Sequence, residues 1–264
     1  MTRCIYYAAA LKSSVYRANG LGAGRDAVGA DSGMSRLTVE SLRTITVFKP
    51  LSDLAFADLS QRCVMRHLDP GELVIGHTDQ TLDVYFLLGG LARVSIYSAD
   101  GQRVGFRDLT AGAIFGELSA IDSKPRSASV ECVDPCSVVT MRREHFLDAL
   151  GKYPAFSLAV ACHLTAQIRS LTTRVFEYST LAVRNRVRLE LLRLLDAASD
   201  NGSAGLLTQV PTHAEIASRI STHREAVSRE VAWLEHNKYI LKEGRNLRIV
   251  DPAALRALVD EDWG

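Results

Sequence analysis

Phe115-Gly116-Glu117-Leu118-Ser119-Ala120-Ile121-Asp122, followed after Ser123-Lys124 by Pro125-Arg126-Ser127-Ala128-Ser129, is the stretch from which the rest of the chain is read. A glycine lets backbone approach a bound group, and a short helix starting near Glu117 would turn free amides toward an anion. Arg126 would neutralise a phosphate from the other side. Ionised Glu117 repels phosphate but is suited to accept a sugar hydroxyl. Together the two side chains specify a ribose and a phosphate in one ligand.

On either side of this string, from about residue 40 to 150, short apolar runs alternate with turn residues such as Asp69-Pro70-Gly71, Gly89-Gly90, Asp100-Gly101 and Asp134-Pro135. Val84–Leu88, Ala92–Tyr97 and Cys136–Thr140 read as strands of a compact all-β roll or barrel. Residues 1–38 carry closely spaced glycines and no sustained period, and read as a disordered extension.

After Pro154 the period becomes helical, with no Gly or Pro until Gly202, so one long helix or two abutting ones are expected. Ala161, Leu164, Ile168, Leu171, Val175, Tyr178 and Ala182 follow alternating steps of 3 and 4. Such a narrow seam wants a partner helix and favours a homodimer, the other reading being a stripe packed on the β domain.

Thr212-His213-Ala214-Glu215 and Thr222-His223-Arg224-Glu225 both read as capping boxes, which start two short helices ten residues apart. With Ala226, Val227, Val231 and Leu234 turned inward, they outline a helix-turn-helix whose turn holds Ser221 where glycine is common. Tyr239–Leu241 and Leu247–Val250 around Gly244 suggest a two-stranded wing. Arg224, Glu225 and Arg229 would face a major groove, Arg matching guanine and Glu accepting from cytosine, although Glu225 could serve only as a cap.

Charge adds a restriction. The 264 residues hold 31 Lys+Arg against 30 Asp+Glu, and residues 183–264 hold 12 of each, so any DNA affinity must come from a patch. Arg219, His223, Arg224 and Arg229 are the expected members of that patch. Five scattered cysteines form no disulfide framework; Cys132 and Cys136 read as packing rather than metal ligands. The chain reads as cytoplasmic, with no secretory signal, no membrane-spanning run, no metal site and no catalytic motif, hence not an enzyme.

The string around Glu117 resembles the phosphate-binding cassette of cyclic-nucleotide-binding domains, and residues 41–250 resemble the CRP/FNR superfamily of transcription regulators. That resemblance implies an α+β fold: a cyclic-nucleotide-binding β-roll over 39–153, a dimerisation helix over 154–182 and a winged helix-turn-helix over 183–264. It implies that Glu117 takes the ribose 2′-hydroxyl and that Arg126 and Ser127 take the cyclic phosphate, with Gly116, Leu118 and Ala128 completing the cradle. Thr172 and Thr173 look like the hydroxyl pair that reaches the purine from the two subunits, which favours cyclic AMP over cyclic GMP; the other reading is two ordinary polar helix residues. Thr222, His223, Arg224, Glu225, Ser228 and Arg229 would meet double-stranded operator DNA with half-sites similar to TGTGA, and RNA polymerase is the implied further partner. A regulator of this architecture sensing another signal, or none, and a cyclic-nucleotide-binding interaction protein without DNA activity are the alternatives.

Overall fold

The computed structural model describes residues 39–97, 103–198, 205–208 and 210–261, so the expectation for residues 1–38 lies outside the described residues. In chain order the elements are α1 (Val39–Arg43), α2 (Asp53–Ser60), β1 (Cys63–Leu68), β2 (Leu73–Ile75), β3 (Val84–Gly89), β4 (Ala92–Tyr97), β5 (Arg103–Leu109), β6 (Ile114–Phe115), α3 (Glu117–Asp122), β7 (Ser129–Cys132) and β8 (Cys136–Met141). They continue with α4 (Arg143–Lys152), α5 (Pro154–Thr180), α6 (Val183–Ala198), β9 (Leu206–Leu207), α7 (His213–Arg219), α8 (Arg224–His236), β10 (Ile240–Glu243), β11 (Asn246–Ile249) and α9 (Pro252–Glu261).

The expected strands form two four-stranded antiparallel sheets, ordered β1-β8-β3-β6 and β2-β7-β4-β5. The roll is not purely β. Phe48, Phe56, Phe86, Phe146 and Phe156 are fully buried and pack edge to face at centroid distances of 5.0 to 6.1 Å, which locks α2, α4 and the start of α5 onto β3. Burying five such rings contributes much of the core energy, at roughly 25 cal/mol per Å² of apolar area. The helices α1, α2 and α4 escaped the sequence reading because 5, 8 and 10 residues give too few turns for a clear period.

Past Pro154 there are two abutting helices, α5 and α6, broken at Leu181 and Ala182. Pro154 stands in the first turn of α5, where its missing N–H costs nothing. The seam divides along its length. Leu164 packs against the phenylalanine core, and the Tyr178 hydroxyl donates to the Arg219 carbonyl at 2.7 Å. Between them Ile168, Leu171 and Val175 stand 64%, 51% and 63% exposed.

The C-terminal block is a helix-turn-helix of α7 and α8 around Ile216, Val227, Val231 and Leu234, backed by Leu191 and Leu195 of α6. At α7 the capping box forms as expected: the Thr212 hydroxyl accepts from the Glu215 amide, and Glu215 accepts from the Thr212 amide. At α8 it does not. His223 is the cap residue there, without a side-chain bond, so α8 begins eleven residues after α7 and Glu225 is released from a capping role. Ser221 adopts the left-handed conformation (φ 51°) usually given to glycine, and the Thr222 amide closes the turn onto the Ala217 carbonyl at 3.0 Å. That conformation costs a side-chain-bearing residue about 1 to 2 kcal/mol. The wing hairpin β10–β11 gains a third strand, β9, and α9 packs on α6.

Candidate ligand cradle and nucleic-acid interface

Gly116 lies between β6 and α3 with φ +81°, and a Cβ there would stand 2.8 Å from Arg126 Nη1 and 3.1 Å from the Asp83 carbonyl oxygen. Only glycine fits this site without displacement. Into that space Arg126 folds its guanidinium: Nη1 donates to the Gly116 carbonyl at 2.8 Å, Nη2 to the Asp83 carbonyl at 2.7 Å and Nε to Thr81 Oγ1 at 3.0 Å. The guanidinium also lies 5.6 Å from the centre of the Tyr85 ring. Arg126 is 2% exposed, and burial pulls its pKa down while the neighbouring anions oppose the fall. Three of the fork's five N–H groups are engaged in these bonds, which fixes its plane.

Glu117 is the next residue, also 2% exposed, and burial pushes its carboxyl above the usual range. Against that stand a backbone hydrogen bond, the charges of Arg107 and Arg126, and the amide of Gln167, whose Nε2 donates to Glu117 Oε1 at 3.2 Å. The His163 Nε2 lies 4.0 Å from the same oxygen. A cation and a carboxylate are thus both buried around one left-handed glycine. Ser127 is exposed, Ala128 half-buried, and Leu118 turns 46% of its surface outward, so from Leu118 only backbone is in place to join the cradle.

Thr172 and Thr173 are not brought to this cradle within one chain. Both are exposed, and their hydroxyls donate to the Ile168 and Arg169 carbonyls one turn back. The α5 side chains that reach Glu117 are His163 and Gln167. Sequence reading missed them, although an i, i+4 polar pair beside the seam was the available signal.

On the helix-turn-helix, His223, Arg224, Glu225 and Arg229 are exposed over the first turns of α8, with Thr222 half-buried beside them. Ser228 is held by His213, Nδ1 to Oγ at 2.8 Å, which ties α8 to α7. Arg219 does not belong to this face, contrary to the expected patch. Its guanidinium pairs with Asp108 of β5 and Glu190 of α6, and its carbonyl accepts from Arg174 and Tyr178 of α5. A second pair, Arg93 to Glu215, links β4 to the start of α7, and these bridges border a cleft of about 380 Å³ between the roll and the α8 N-terminus. Desolvation works against the Glu215 carboxylate, but the Arg93 and Thr212 hydrogen bonds outweigh it and hold the pKa at about 2.

Residues 65–153 match the cyclic nucleotide-binding domain family, and residues 185–258 match the Crp-like helix-turn-helix domain. The chain is 30% identical over 173 residues to the cyclic AMP receptor protein of Thermus thermophilus, a span covering 65% of this chain and 77% of that one. This chain belongs to the CRP/FNR family of transcription regulators. It is also 24% identical over 217 residues to the CRP-like cAMP-activated global transcriptional regulator of Mycobacterium tuberculosis, covering 82% of this chain and 97% of that one. Among solved structures, the c-di-GMP responsive global regulator CLP of Xanthomonas campestris superposes with a TM-score of 0.66 at 14% identity, over 76% of this chain and 100% of that one. At that identity the likeness speaks for the CRP/FNR fold alone. The α+β architecture, the cyclic-nucleotide-binding roll and the helix-turn-helix expected from sequence are those of the family, which is regulatory rather than enzymatic. Among the described residues no helix is long and apolar enough to cross a membrane, and no group of three His, Cys, Asp or Glu side chains gathers to hold a metal.

Proposed function

We propose that this CRP/FNR protein is a homodimeric regulator gated by a cyclic nucleotide, cyclic AMP first and cyclic GMP second, and that it reads near-palindromic DNA with TGTGA-like half-sites. The observation that carries the reading is the burial of Glu117 and Arg126 on either side of left-handed Gly116. A buried cation and carboxylate that close together suit a ligand with a phosphate at one end and a ribose hydroxyl at the other. Arg126 and Ser127 take the phosphate, Glu117 the 2′-hydroxyl, and the backbone of Gly116, Leu118 and Ala128 lines the cradle.

Homodimerisation is supported by the exposed stripe Ile168, Leu171 and Val175, three large apolar side chains in heptad register. Pairing along that stripe is what would bring Thr172 and Thr173, one from each subunit, to the purine. Exposed Arg224, Glu225 and Arg229 read bases, His223 and Thr222 contact backbone phosphates, and half-site centres fall about 34 Å apart, one turn of duplex. The regulator acts in the cytoplasm, with RNA polymerase as its downstream partner.

A melting-temperature screen against cyclic AMP, cyclic GMP, 5′-AMP and 5′-GMP tests the effector, since a ligand that binds only the folded state raises the midpoint. Gel retardation of a TGTGA palindrome with and without the stabilising nucleotide tests the gate. Retardation independent of nucleotide would point to a constitutive regulator or another signal. Failure to retard any palindrome at low salt would point to a cyclic-nucleotide-binding interaction protein.

A further inference from the structure

Two polar side chains of α5 enter the cradle from outside the cassette. Gln167 Nε2 contacts Glu117 Oε1 at 3.2 Å and also makes a close contact with His163 Nε2, one turn back on the same helix face. With Glu117 ionised and neutral His163 carrying its proton on Nδ1, both partner atoms are acceptors, and the Gln167 amide meets them with its two N–H groups. Burial and the charge of Arg107 hold His163 at about 4, which keeps it neutral at ordinary pH. The amide is therefore fixed in one orientation, and it fixes the carboxylate in turn. Leu171 of the exposed stripe lies one helical turn beyond Gln167.

We propose that His163 and Gln167 form a relay that aims the Glu117 carboxylate at the ribose 2′-hydroxyl and ties it to the helix bearing the dimer stripe. The proposal rests on the cyclic-nucleotide reading above. Gln167 is a positioning residue: it acts on the ligand through Glu117. The charged and titratable groups facing Glu117 are Arg107 from β5, Arg126 from the segment before β7, and His163 from α5. Gln167 and the two arginines favour the ionised carboxylate, and burial opposes them. A ligand hydroxyl that draws on Glu117 must share it with Gln167, so α5 registers the occupancy of the ribose end directly.

The test is calorimetric titration of the full chain with 3′,5′-cyclic AMP and its 2′-deoxy counterpart, repeated for the cyclic GMP pair. Gln167→Met keeps the volume and removes the donor. It should weaken the ribonucleotide about tenfold, the scale of one hydrogen bond to a charged group, while the deoxynucleotide changes by less than about twofold. The unsubstituted protein supplies a second readout: its preference for ribose should decline as pH falls and Glu117 and His163 take up protons. Equal losses for both sugars in Gln167→Met would overturn the relay while leaving the pocket standing, whereas a preference for ribose independent of pH would overturn the Glu117–ribose contact and the relay with it. No binding of any of the four nucleotides by the unsubstituted protein would overturn the pocket reading and the relay with it.

Discussion

The proposed ligand cradle and the proposed DNA-reading face both rest on arginine and glutamate, and the fold holds them in opposite ways. In the cradle Arg126 and Glu117 are 2% exposed, and protein groups fix their orientation before any ligand arrives. On α8, Arg224, Glu225 and Arg229 stand in solvent at the start of a helix whose other face is packed. A small ligand gives its site little area to work with, so affinity comes from charges already stripped of water and already aimed. DNA offers a long row of phosphates and base edges, so many solvated contacts add up, each of them weakened by salt.

The contrast is broken most directly at Arg126. Arg126→Ala should cut cyclic-nucleotide affinity at least about a hundredfold by calorimetry, because charge-assisted bonds in a buried site are lost together. It should also lower stability by about 1 to 3 kcal/mol, since the Gly116 and Asp83 carbonyls lose their donor. Unchanged affinity would show the cradle to be scaffold.

Next comes the stripe that would join two cradles into one switch. Ile168→Glu and Val175→Glu should give monomers in sedimentation while the folded chain persists, because these positions touch little within the chain. Leu164 is a poorer site for this test, since it packs on the roll's core. A dimer surviving both substitutions would remove the stripe from the interface.

On the solvated side the effects shrink. Arg229→Ala should cost about 1 to 3 kcal/mol at a single guanine in operator binding. A loss shared by all sequences, with a shallower salt dependence, would make Arg229 a phosphate contact instead.

The smallest expected effect lies between the two regions, at the Arg93–Glu215 bridge. The Glu215 pKa is held at about 2 against an ordinary 4.5, so its stabilising contribution is present above about pH 4.5 and lost as pH falls toward 2. With the Glu215 side chain 36% exposed, solvent screening limits that contribution to about 1 kcal/mol or less. Glu215→Gln keeps a group able to serve the capping box and removes only the charge. Melting curves of the native and substituted chains should therefore converge as pH falls through that window; a gap constant with pH would deny the bridge its role.

Sequence legibility followed the range of the interactions. The cassette, the strands at Val84, Ala92 and Cys136, the α7 capping box and the left-handed turn at Ser221 are local devices, each written in a few adjacent residues. What misled was competition among neighbours: Thr222 and Glu225 fit a capping pattern as well as Thr212 and Glu215 do, yet α8 starts after His223 without it. Arg219 looked like a phosphate contact because its partners, Asp108 and Glu190, lie 111 and 29 residues away.

By itself the sequence determined the order of roll, long helix and helix-turn-helix, and it singled out Glu117, Arg126, Arg224, Glu225 and Arg229, the residues on which the proposed function rests. Periodicity, turn residues and charge next to glycine are properties of short segments, and the chain states them directly. Only the tertiary structure decided that Glu117 meets Gln167 and His163 of α5, and that Arg219 is committed to the roll. Those outcomes depend on which helix face meets which sheet, a choice made by burying rings such as Phe48, Phe86 and Phe156 from distant parts of the chain.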